Sequence, residues 1–104
     1  MLLLVAANST LAQEQAVIEA QAVIVVTGAP GSSEYAAQFS EWAEEWKQAA
    51  AHTQLTMIGV EATNDGDKEQ LQAAIAKLNS ATVSEVWLIL IGHGTYDGQR
   101  AKFN

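Results

Sequence analysis

The sequence predicts an α/β fold with a parallel three-stranded sheet. Three observations carry this reading. Two uninterrupted apolar runs, Ala22 to Val26 and Val86 to Ile91, each stop at a glycine-containing turn, as strands buried on both faces do. A third run, Leu55 to Val60, lies between them. The two intervening stretches carry apolar residues at three- and four-residue steps, so the order is strand, helix, strand, helix, strand.

Composition bounds what such a chain can be. With 104 residues, 49% of them hydrophobic, it makes one small globular domain with enough apolar side chains for a core, which excludes a disordered acidic tail. Twelve acidic side chains against five basic ones give a formal net charge of -7, and Lys47, Lys68 and Lys77 are scattered. No basic face answers a phosphate backbone, so nucleic acid is excluded as a partner. The chain has no cysteine, hence no disulfide framework, no thiolate zinc site and no thiol nucleophile among its own residues.

The elements follow in order. The uncharged MLLLVAANSTLA at positions 1–12 reads as a signal peptide with cleavage after Ala12, leaving 13–21 as a linker and 22–104 as the folded domain. The expected localisation is therefore exported, periplasmic or extracellular. No Lys or Arg precedes the apolar run, so the alternative is a start further upstream or a buried first strand. No later run approaches the ~20 apolar residues of a spanning helix, so no membrane association is expected after cleavage.

Ala22 to Val26 is the first strand and Thr27-Gly28-Ala29-Pro30-Gly31 its turn. Ser32 can cap a helix whose aromatic stripe, Tyr35, Phe39, Trp42 and Trp46, packs against the sheet with both tryptophans in the core. Leu55 to Val60 is the second strand. Asp67 with Gln70 makes a capping-box-like start to a second helix, with Leu71, Ala74, Ile75 and Leu78 as its apolar face and Asn79-Ser80 at its end. Glu85 to Ile91, the most hydrophobic stretch after the leader, has the character of a mid-sheet strand. The Asp97-Gly98 pair then marks a tight hairpin.

Parallel strands joined by helices cross over right-handedly. With strand order 2-1-3 the winding direction reverses at the first strand, the helices cover opposite faces, and a crevice opens between the carboxyl ends of the first and third strands. Gly28 to Ser33 and Gly92 to Gly94 border it. His93, between two glycines at such an edge, is placed as a general base, and the Gly94 amide as a donor to an oxyanion.

An apolar strand running into Gly92-His93-Gly94 and then a short hairpin resembles the histidine segment of the caspase-like, or clan CD, cysteine peptidases. The resemblance spans Ala22 to the end. It implies a three-layer caspase-haemoglobinase-like fold, here partial, with His93 as the acid/base of a Cys-His dyad, Gly94 as the oxyanion-hole donor, and a peptide or protein as substrate. In that family the nucleophile ends the next strand, which implies a cysteine beyond residue 104 and an N-terminal portion of a longer peptidase. This chain alone has no such activity, and no resident cofactor or metal is expected.

Two alternatives stay open: a catalytically inactive caspase-like module that binds peptides or partner subunits at the same crevice, and a nucleotide-binding α/β domain using Gly28, Gly31 and Glu61. The glycines are not spaced as G-x-G-x-x-G, and Pro30 removes an amide that would face a phosphate. His52, near a helix end, suits the helix dipole. His52, His93 and Asp97 have no metal-ligand spacing. Ser33 has nothing to activate it as a nucleophile, and Ser32 is accounted for by its cap.

Overall fold

The computed structural model describes residues 20–59 and 66–104. The signal-peptide reading of 1–12, most of the 13–21 linker, and Val60 and Glu61 lie outside the described residues.

β1 (Gln21–Thr27), β2 (Gln54–Ile58) and β3 (Glu85–Ile91) form a parallel sheet in the order β2-β1-β3. α1 (Ser33–Ala49) and α2 (Asp67–Ala76) connect them, and β4 (Gly94–Tyr96) pairs antiparallel with β5 (Ala101–Phe103). The reversal of winding at the first strand is present as expected. β1 is the centre of the core, with Ala22 to Thr27 all buried and Ile24 and Val25 among the most enclosed side chains. Burying a side chain of this size contributes about 1.5–3 kcal/mol.

Side chains alternate along β1, so its two faces serve two cores. Val23 and Val25 join Phe39, Ala43, Ala50 and Ile91 under α1. Ile24 and Val26 join Ile58, with Leu71, Ala74 and Leu78 packed on them from α2 and its end. The helices thus lie on opposite faces of the sheet.

Three sequence expectations are corrected here. Trp42 and Trp46 are not core: they are 44% and 38% exposed, while Phe39, Ala43 and Ala50 make the seam. One ring followed by two alanines at helical spacing lets α1 lie close to β1, and the indoles are left at its flanks. Asp67 does not cap α2. Gly66, at φ 100, is the cap residue and makes no side-chain cap bond, because the chain enters the helix through a left-handed position that glycine takes at least cost. Asp67 is the first helical residue instead, where a carboxylate still favours the positive end of the helix. Ile75, expected on the apolar face, is 51% exposed, because α2 packs through Leu71 and Ala74.

The third strand is an edge. Among the described residues no strand pairs with it on the side away from β1, and Val86, Trp87, Leu88 and Leu90 are each about half exposed. Its apolar sequence has the character of a central strand in a place that leaves it uncovered. No helix among the described residues is long and apolar enough to cross a membrane.

At the hairpin the Asp97 Oδ1 accepts the Gln99 and Arg100 amides at 2.9 and 2.7 Å, and Gly98 takes φ 93. These amides, Arg100 first, hold the Asp97 carboxyl below its ordinary value. A depressed carboxyl pKa stabilises the folded turn above the unfolded value, and the contribution is lost as pH falls through the folded one. Amide exchange at Gln99 and Arg100 is therefore expected to stay slow at neutral pH and to accelerate, relative to the β1 amides, only below the ordinary Asp range. Equal acceleration in the Asp97→Ala variant would contradict the carboxylate's role.

Candidate active site

β1 and β3 end in step, with Thr27 opposite Ile91, and the Gly28 amide donates to the Ile91 carbonyl at 2.8 Å, extending the pairing one residue further. Past this point the chains part. The first leads through Pro30 into α1, the second through Gly92, His93 and Gly94 into β4. His93 therefore stands at the carboxyl edge between the two strands, partly buried.

Its imidazole is fixed on two sides. Nε2 lies 3.0 Å from the Pro30 carbonyl oxygen. A carbonyl only accepts, so Nε2 carries the hydrogen, and in the neutral ring Nδ1 is left with the lone pair. Tyr35, from the first turn of α1, meets the ring edge to face at a centroid distance of 4.7 Å and 89°. Phe39, one turn on, lies at 5.3 Å and 50°. An i, i+4 pair on one helix thus supports the ring that the β3 end delivers.

Gly94 opens β4 opposite Phe103, and the Asn104 amide donates to the His93 carbonyl at 3.0 Å. This places Gly94 and Phe103 in a non-hydrogen-bonded pair, so the Gly94 amide is turned away from β5 and is not spent on the hairpin ladder. Among the described residues, the Gly94 amide thus lies off the ladder, one residue from the imidazole; acyl transfer needs an N–H donor and a base of these kinds.

Part of the crevice is filled by the chain itself. A Cβ on Gly28 would collide with the Asn104 carbonyl oxygen and come within 3.0 Å of the Phe103 ring. One on Gly92 would lie 2.5 and 2.8 Å from Phe103 Cε2 and Cζ. Both positions need glycine because β5 and the residue after it press across them. Gly28 therefore has a packing reason that owes nothing to a phosphate.

The remaining sequence candidates fall elsewhere. The Ser32 hydroxyl accepts the Tyr35 amide at 3.3 Å as the α1 cap, and Ser33 is the first helical residue. His52 is exposed in the turn after α1, and Asp97 is committed to its hairpin. What sequence reasoning missed is the support around His93. The Pro30 carbonyl is a backbone group that any residue type would supply, so no sequence signal marks it. Tyr35 and Phe39 were visible as a stripe, but their contact with His93 depends on how α1 is laid across the β1 and β3 ends.

The fold and site together define an α/β domain with a reversed parallel sheet and a supported histidine at its carboxyl edge. Comparisons of the chain with protein-family models, with curated proteins and with solved structures give no match.

Proposed function

We propose that the chain is the histidine-bearing, N-terminal portion of a caspase-like cysteine peptidase in an exported protein, with its nucleophile beyond residue 104. The observation that carries this reading is the His93 imidazole at the β1 and β3 carboxyl edge, tied through Nε2 to the Pro30 carbonyl with Nδ1 left to act. In the reaction Nδ1 takes the thiol proton as the sulfur attacks the peptide carbonyl, then delivers it to the leaving amine. The Gly94 amide donates to the oxyanion formed at the carbonyl oxygen. The strand order supports the reading, as does the apolar edge of β3, which calls for a further strand alongside it.

The test uses a polypeptide extended beyond Asn104. A hydrophobic strand ending in cysteine is expected there, with hydrolysis of peptide amides that iodoacetamide abolishes. An extended chain that binds peptides without cleaving them, its next strand ending in another residue, would replace the peptidase reading with that of an inactive binding module.

A further inference from the structure

We propose that the groove between Trp46 and Trp87, at the amino-terminal edge of the sheet, binds an arginine side chain of a peptide or protein partner. This site lies at the opposite end of the sheet from His93 and uses neither His93 nor Gly94. Trp46 comes from the last turn of α1, Trp87 from the start of β3, and Val23 and Ala50, both buried, lie between them. Gln21 and Thr53 complete the lining of a space of about 300 Å³. That volume is at the small end of ligand sites and suits one inserted side chain.

Three features of this groove favour positive charge. The first is the pair of half-exposed indoles, whose faces attract cations, tryptophan most strongly among the aromatic side chains. The second is Glu85, hydrogen-bonded to two residues that line the groove. Its Oε1 accepts the Trp87 indole N–H at 2.5 Å, and its Oε2 accepts from the Gln21 amide nitrogen at 3.4 Å. A carboxylate offers about four acceptor positions, so each oxygen keeps one for a further donor. The third is the carboxyl end of α1, the negative end of its dipole, which reaches the groove at Ala50. The nearest cation on the same helix, Lys47, sits 4.0 Å from Glu44.

A guanidinium fits this set better than an ammonium. Its plane stacks on indole, and its fork offers two parallel N–H donors to the two Glu85 oxygens. The formal charge of -7 on the chain draws a basic partner from a distance.

The probe is acetyl-Gly-Arg-Gly-amide, with its citrulline counterpart as the uncharged control, added to the 104-residue chain at about 50 mM salt, where exposed charges are weakly screened. Saturable shifts of the Trp46 and Trp87 indole N–H resonances are expected, with Trp42 still. The citrulline peptide should bind at least about tenfold more weakly, and Glu85→Gln should weaken the arginine peptide by a similar factor. Trp46→Leu, which leaves the Glu85 hydrogen bonds in place, should weaken it as well. Absence of saturation with the arginine peptide, equal binding of the citrulline peptide, or unchanged binding by Glu85→Gln would overturn the proposal. None of these outcomes bears on His93.

Discussion

Phe39→Ala is expected to cost about 3–5 kcal/mol of folding stability, the range for truncating a buried phenylalanine. Small domains hold only about 5–15 kcal/mol in total, so the variant should lose a large fraction of its stability. Phe39 is 4% exposed and, among the described residues, is the buried ring that α1 adds, with Ala43 and Ala50, to a cluster completed by Val23, Val25 and Ile91. The rings beside it on α1, Tyr35 and Trp42, lie 6.1 and 6.0 Å from it and are exposed. The Phe39 ring touches His93, so its loss also frees the imidazole on one side. Urea denaturation checks this. A midpoint close to that of the parent chain would mean that α1 is held by something other than this seam.

His93→Ala is expected to lower peptide hydrolysis by the extended polypeptide about 10²–10⁴-fold, the usual contribution of a positioned acid/base. The fold should survive. His93 is only partly buried, and the core residues of β1 lie further along the strand. Loss of the ring's contacts with Tyr35 and Phe39 should cost on the order of 1 kcal/mol, which moves the unfolding midpoint by about 4–8 °C in a domain of this size. Large loss of turnover with small loss of stability separates catalysis from support. Unchanged hydrolysis in a folded variant would refute the assignment.

Much of the fold is legible in the sequence because its signals are local. The β-branched run before Gly28 and the apolar run before Gly92 state their own boundaries, and Glu85 to Ile91 is observed with the bounds its residues predict. The Ser32 cap likewise needs only its own helix turn. Burial is less legible, since it depends on what lies across the gap. Trp42 and Trp46 have the hydrophobicity and spacing of core residues, yet the sheet offers α1 only a narrow seam, which Phe39 and two alanines fill. Similarly, Leu88 and Leu90 read as buried, but burial requires a neighbour that a strand's own sequence does not specify.

At the site, His93 and Gly94 were nameable from a short pattern at the end of an apolar strand. Their surroundings were not. The Pro30 carbonyl is invisible to residue-type reasoning, and the closeness of Phe103 and Asn104 to Gly28 and Gly92 comes from the hairpin folding back over the sheet edge.

The arrangement of the His93 ring is the point on which the catalytic reading turns, and nitrogen NMR of the imidazole tests it directly. In the neutral ring, long-range proton–nitrogen correlations should show one tautomer, protonated at Nε2 and bare at Nδ1. A proton resident on Nδ1, or two nitrogens averaged by rapid exchange between tautomers, would contradict the account.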